Sequence, residues 1–262
     1  MSANEGGVEI AGSGSGYYGA MDSADYAGKI NTPAQNPEYF DRFHRPMIER
    51  AKERNDGASI TLLDIACGPA FELEFVADDP DTIIVATDIS TSEKVWGEVR
   101  ERLGTRALLF AADVVDSPVR SETMDAGMIV NAMVYVPDKM LAAMASALKP
   151  GGEMVANFRN YSNPFNRPFY RHYRERGGVI LDGMVGTYPV KVLDYAECVD
   201  DNGDPDEQIR GLGQQAYFTA TDDIINLVGE SGLHIVDHRA FSFSSPVNDN
   251  NQVEVFTMQK VD

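Results

Sequence analysis

The chain has 262 residues, 43% of them hydrophobic, and carries 22 Lys plus Arg against 41 Asp plus Glu, a formal charge of −19. That is apolar material enough for one large domain or a core with an insertion, and so acidic a surface repels phosphate backbones and anionic lipid, which argues against nucleic acid and membranes as partners. Two cysteines, Cys67 and Cys198, make no disulfide framework, and no CxxC or HxxxH spacing surrounds them, so no metal is expected.

Residues 1–16 are small, polar and glycine-rich. They read as disordered, and they lack the basic start and long apolar core of a secretion signal. No run of about 18 apolar residues exists, so no transmembrane helix is expected and the expected location is the cytoplasm. Residues 17–56 are read as a helical cap. Within it, PEYFDRFHRPMIERAKER places Phe40, Phe43, Met47, Ile48 and Ala51 at helical spacing, Pro37 suits the first turn, and Asp56-Gly57 ends the run.

The period then changes. SITLLDIA (59–66) is a short apolar run rich in branched residues and reads as a buried strand. FELEFVADD follows as a short helix, and DTIIVATDIS (81–90) as a second strand ending in Asp88. SEKVWGEVRERL (92–103) is a helix and RALLFAADV (106–114) a third strand, ending near Asp113. MDAGMIVNAMVYV (124–136) holds a fourth strand. A helix over 138–148 and a turn at KPGG lead to the fifth, EMVANF (153–158). Strands alternating with helices predict an α/β fold over 57–158, a Rossmann-like, doubly wound, mostly parallel sheet with helices on both faces.

The alternation stops at residue 159. Residues 159–218 are rich in Tyr, Phe, Arg and Asn and read as an insertion, a substrate lid whose PVKVLDYAECVD and QIRGLGQQAYFT form a β-hairpin. TATDDIINLVGESG (219–232) is a helix with Thr or Asp as N-cap and Gly232 at its end. LHIVDHRAF and NQVEVFTMQK then form an antiparallel pair, so 219–262 completes the core with an antiparallel closing strand. His234 and His238 fall on that pair rather than on a helix.

Ligands of such sheets bind at the carboxyl ends of the strands. The first strand ends in Asp64, and Ala66, Gly68 and Ala70 alternate in the loop that follows, where small residues let a ligand approach the backbone. A dinucleotide needs GxGxxG, whereas this loop reads ACGPAF with an acid just before it, where a diphosphate is repelled. An acid there suits a cationic ligand such as S-adenosylmethionine, with its ammonium and sulfonium. Asp88 can accept both hydroxyls of a ribose, and Asp113 can take an adenine amino group.

LLDIACGPA resembles the first signature motif of class I S-adenosylmethionine-dependent methyltransferases, VATDIS their ribose-binding motif and FAADV their adenine-binding motif. MDAGMIVNAMVYVPD resembles their fourth-strand segment and LKPGG the turn before strand five. The resemblance implies that Ala66, Cys67 and Gly68 line the methionine part of the cofactor, with Asn131 and Ala132 beside its methionine end. It also implies Asp88 and Ile89 at the ribose, and Asp113 and Val114 at the adenine. Two glycine positions of the pattern are Ala66 and Ala70 here. Cys67 reads as a small packing residue of the loop. Small-molecule members of the family often fold paired aromatics over the cofactor, which points to Tyr18 and Tyr26.

The region after strand four reads NAMVYVPD rather than NPPY, and NFRNYSN supplies no acid cluster for metal-assisted catechol methylation. A small-molecule acceptor in bacterial specialised metabolism is the resulting expectation, methylated on N or O. Candidate catalytic residues are His172 and Tyr161, and candidate acceptor-binding residues are Tyr135, Tyr170 and Arg171. An exposed hairpin could support a homodimer. The alternatives are a non-catalytic or repurposed relative that binds the cofactor, a cyclase on the same scaffold, and a nicotinamide-dependent oxidoreductase.

Overall fold

The computed structural model describes residues 8–9, 33–89, 93–114, 118–206, 213–245 and 248–261. Tyr18 and Tyr26 lie outside them. Asn36 opens the cap by accepting the Glu38 N–H at 2.9 Å, with Pro37 in the first turn. The chain stays helical through Pro37–Tyr39, a π-helical segment Phe40–His44 and helix α1 (Arg45–Arg54). Met47, Ile48 and Ala51 face the core. Arg50 and Arg54 grip the buried Glu153 at 2.7 and 2.6 Å, tying this helix to the sheet.

A seven-stranded sheet follows the predicted plan. Its strands are β2 (Ile60–Ile65), β3 (Thr82–Asp88), β4 (Ala107–Ala111), β5 (Met124–Ile129), β6 (Leu148–Phe158), β10 (Leu233–Ser245) and β11 (Asn248–Lys260). The order is β10-β11-β6-β5-β2-β3-β4, parallel from β6 to β4, with β11 antiparallel to both neighbours. Helices α2 (Glu93–Leu103), α3 (Pro137–Ala147) and α5 (Thr221–Glu230) pack on it. Two apolar layers, one on each face, bury the branched residues of the central strands. A Cβ on Gly127 of β5 would lie 2.3 Å from Met144 Sδ of α3, so a larger residue there would have to displace the end of that side chain. Among the described residues, no helix is long and apolar enough to cross a membrane.

Four local expectations are corrected. The KPGG turn belongs to β6, whose pairing with β5 jumps from Met124↔Leu148 to Ala126↔Glu153, so the glycines form a bulge within the strand. The short helix after β2 is a 3₁₀ turn, Glu72–Val76, which Pro80 keeps from extending. Ala220, not Thr or Asp, occupies the N-cap position of α5, because the Thr221 hydroxyl donates instead to Glu254 at 2.9 Å. The predicted hairpin gains a third strand. β7 (Val179–Val185) joins β8 (Tyr188–Asp194) across two residues, and β8 pairs with β9 (Gln214–Phe218). The Asp-Gly within VILDGMV masked that strand in the sequence.

This second sheet, ordered β1-β7-β8-β9 with the short β1 (Val8–Glu9) parallel to β7, stands over the carboxyl ends of β5 and β6. The Ala216 N–H donates to the Val134 carbonyl at 2.7 Å, and the Tyr161 N–H donates to the Phe218 carbonyl at 2.8 Å. Helix α4 (Arg167–Glu175) packs its Tyr170 and Tyr173 against Leu193, Tyr195 and Tyr217 of this sheet.

Candidate functional site

The three strand-end acids stand on adjacent parallel strands. Asp64 pairs with Ala86 across β2 and β3, Asp88 with Ala111 across β3 and β4, and Asp113 lies two residues past β4. With strands about 4.8 Å apart, the row spans about 10 Å. The loop after β2 turns back on itself. The Cys67 N–H donates to the Thr87 carbonyl at 3.0 Å, the Gly68 N–H to Asp88 Oδ2 at 2.8 Å and the Ala70 N–H to the Cys67 carbonyl at 2.8 Å. Ala66, Gly68 and Ala70 all take left-handed backbone angles, φ 58°, 49° and 55°. Ala66 and Ala70 therefore hold a conformation that glycine adopts freely, at a cost of about 1–2 kcal/mol each. A Cβ on Gly68 would meet no protein atom within 4 Å.

Asp64 is fully buried, and neither carboxylate oxygen has a donor at ordinary hydrogen-bond geometry. Burial, then the charge and side chain of Glu72, then the charge of Asp88, raise its pKa well above the usual carboxylate range. Glu72, also buried, is pushed up to about 7, chiefly by burial. Two buried carboxyls that resist ionisation together make a site where a cation would be stabilised. Burial, then the charges of Asp64, Asp88 and Glu72, also raises the Cys67 thiol, so Cys67 packs rather than attacks.

At the end of β5, Asn131 is left-handed at φ 59°. Its N–H donates to Asn157 Oδ1 at 2.7 Å, and Asn157 Nδ2 donates to Asn131 Oδ1 at 3.2 Å. Tyr39 of the cap reaches the same place. Burial and the Glu72 charge raise its phenol, and the neighbouring Asn157 side chain opposes them. Ala132 is buried there, and Ile89, Asp113 and Val114 are half-buried along the other strand ends. The loops after β2, β3, β4 and β5 thus bring together Asp64, Ala66, Cys67, Gly68, Asp88, Ile89, Asp113, Val114, Asn131 and Ala132.

The acceptor-side candidates separate. Tyr135 accepts from Gln215 Nε2 at 2.7 Å, and Tyr161 and Tyr170 pack with ring centroids 4.6 Å apart. Arg171 is exposed on α4. His172 lies beside Arg176, Nε2 to Nη1 3.1 Å, and burial followed by that positive charge lowers its pKa. Glu72, Tyr39, Asn157, Arg159 and Gln215 were not singled out by the sequence. Only their burial against the strand ends marks them.

A methyltransferase domain family matches residues 62–152. No curated protein sequence is significantly similar to the chain. Among solved structures, 1,6-didemethyltoxoflavin-N1-methyltransferase of Burkholderia thailandensis, with bound 1,6-didemethyltoxoflavin and S-adenosylhomocysteine, is 14% identical with a TM-score of 0.55, over 98% of this chain and 94% of that one. A Methanosarcina mazei S-adenosylmethionine-dependent methyltransferase is 14% identical, TM-score 0.56, over 78% and 93% of the two chains. The cyclase SpnF is 14% identical, TM-score 0.52, over 83% and 80%. At such identities the likenesses establish the fold.

Proposed function

We propose that the chain, which carries a methyltransferase domain over residues 62–152 on a class I methyltransferase fold, transfers a methyl group from S-adenosylmethionine to N or O of a small-molecule acceptor. The observation that carries the cofactor side is the buried Asp64, whose oxygens lack donors and whose neighbour Glu72 is equally buried. The ammonium of S-adenosylmethionine supplies the charge and the donors that this pair lacks. Asp88 would hold the ribose, Asp113 the adenine edge, and Ala66, Cys67, Gly68, Asn131 and Ala132 the methionine part. The cofactor supplies an electrophilic methyl, so the protein's task is position and a dry site. The small-molecule reading is supported by the second sheet over β5 and β6 and by the aromatic rings packed against it, which cover the carboxyl ends of those strands.

Tyr161 stands at the end of β6 within that aromatic set and is the better placed of the two candidate bases, since the His172 ring is occupied by Arg176. Calorimetric titration with S-adenosylhomocysteine, S-adenosylmethionine and NAD tests the cofactor side. Micromolar binding of the adenosyl compounds, lost by about one to three kcal/mol in Asp88→Ala, is the expected result. Binding of NAD instead would overturn it. Mass-spectrometric detection of a 14 Da gain on phenols and amines, compared between wild type and Tyr161→Phe, tests the acceptor side; a gain found only on a protein or nucleic acid would overturn the small-molecule reading.

A further inference from the structure

The end of β6 carries a cation that the cofactor does not need. Arg159 follows Phe158 directly and sits two positions beyond Asn157, hence on the same face of the sheet as the Asn131–Asn157 pair. Its guanidinium carbon lies 3.9 Å from the ring centre of Phe169 on α4 and 5.9 Å from that of Phe243 on β10. Such stacking holds the group in place while its edge donors stay available to another partner. Nη1 is buried without a hydrogen-bond partner among the described residues. In a chain with 41 acidic residues, no described carboxylate forms an ion pair with it.

A second unmet group sits in the same cluster. Tyr170 is 4% exposed, and its hydroxyl also lacks a partner. Its ring lies 4.6 Å from that of Tyr161 and 5.2 Å from that of Tyr217. The positive charge of Arg159 lowers the pKa of Tyr170, Tyr173 and Tyr217 against the larger effect of their burial. The deeper polar groups are satisfied among themselves. Tyr195 donates to Gln215 Oε1 at 3.1 Å, Tyr217 donates to the same oxygen at 2.5 Å, and Gln215 Nε2 donates to Tyr135 at 2.7 Å. Arg159 and Tyr170 are the pair left with donors to give, and a buried donor without a partner is costly unless a ligand takes it.

We propose that Arg159 and the Tyr170 hydroxyl bind the acceptor through an anionic oxygen, a carboxylate or ionised hydroxyl, carried on a planar ring that lies among Tyr161, Phe169 and Tyr217. This rests on the reading of the chain as a small-molecule methyltransferase and adds to it the class of acceptor. Arg171, the acceptor-binding arginine expected from the sequence, is exposed on α4, and Arg159 takes its place here.

The test is calorimetric titration of the protein saturated with S-adenosylhomocysteine, with 4-hydroxycinnamate and its uncharged amide as probes. The acid should bind about tenfold or more tighter than the amide, as a charge-assisted bond to a guanidinium requires. Arg159→Met should bring the acid down to the level of the amide, Arg159→Lys should recover part of the difference, and S-adenosylhomocysteine affinity should stay unchanged in both. Should Arg159→Met fail to fold, Tyr170→Phe reads the same site through a severalfold loss of acid binding alone. Equal binding of acid and amide, no binding of the acid, or acid binding indifferent to all three substitutions overturns the proposal. Failure of wild type to bind S-adenosylhomocysteine is a separate result, which removes the methyltransferase reading and the proposal with it.

Discussion

Asn131 and Asn157 hold each other reciprocally across the ends of β5 and β6, backbone N–H to side-chain oxygen at 2.7 Å and side-chain amide to side-chain oxygen at 3.2 Å. The pair fixes a left-handed residue, Asn131 at φ 59°, beside the place where the methionine end of the cofactor is assigned. Removing one partner leaves a buried N–H unmet. Asn157→Ala should therefore destabilise the fold by about 1–3 kcal/mol. Urea denaturation measures that loss, and titration with S-adenosylhomocysteine should show weaker binding in the surviving folded protein. An unchanged denaturation midpoint would mean that water replaces the amide at no cost.

Gly68 borders open space at the turn after β2. A Cβ there meets no protein atom, and the backbone is left-handed, so Gly68→Ala should cost about 1–2 kcal/mol in stability from backbone strain alone. If the cofactor lies against this loop, its affinity should fall more than stability does. Parallel thermal melts and titrations check the ratio. A variant that loses stability but keeps full affinity would move the cofactor away from Gly68.

Ala66 is the complementary case. It is half-buried and left-handed where glycine would be at ease. Ala66→Gly relieves the folded state but loosens the unfolded chain, so a net gain of about 0.5–1 kcal/mol is expected. A higher thermal midpoint verifies it; a lower one would show that the alanine methyl packs usefully.

The Glu72 carboxyl, held up near 7 when folded against an ordinary value of 4.5, gives a pH signature. A raised carboxyl favours the protonated fold, so its contribution to stability is fully present below about 4.5 and is lost as pH rises through about 7. Asp64, raised by the same burial and by Glu72 itself, acts in the same direction. Without cofactor, the melting temperature should fall as pH rises over that window, and Glu72→Gln should flatten the fall. A cationic ligand prefers the ionised pair, so S-adenosylhomocysteine affinity should rise with pH and level off above about 7, with proton release on binding below it. Titration in buffers of different ionisation enthalpy counts those protons. An affinity independent of pH would remove the acid pair from the cofactor site.

The strand-end acids proposed for the cofactor could be read from the sequence because their chemistry coincides with a local pattern. Asp64, Asp88 and Asp113 each close an apolar run, so a strand end and a ligand group are announced by the same residues. Glu72 gave no such signal. It sits in FELEFVADD among other acids that face water, and only the turn of the loop after β2 buries it beside Asp64. Arg159 was hidden for the opposite reason. It opens an irregular segment rich in arginine, and its lack of a carboxylate partner among the described residues is a property of the packed α4 and β10, not of its neighbours in the chain. β7 was missed because Asp182-Gly183 interrupts its apolar alternation, while pairing with β8 supplies what local preference lacks.

The second sheet is moored to the core by main-chain bonds, Ala216 to Val134 and Phe218 to Tyr161, which take no account of which side chains β9 carries. The mooring is therefore indifferent to mutation in the residues it carries into the acceptor side. Tyr217, between the two moored positions, can change without slackening either bond or reaching Asp64, Asp88 and Asp113 at the other strand ends. If β9 and α4 hold the acceptor as proposed, such an arrangement lets a lineage trade one acceptor for another by drift in them while inheriting its methyl donor intact, and S-adenosylhomocysteine affinity should accordingly be unmoved by Tyr217→Phe.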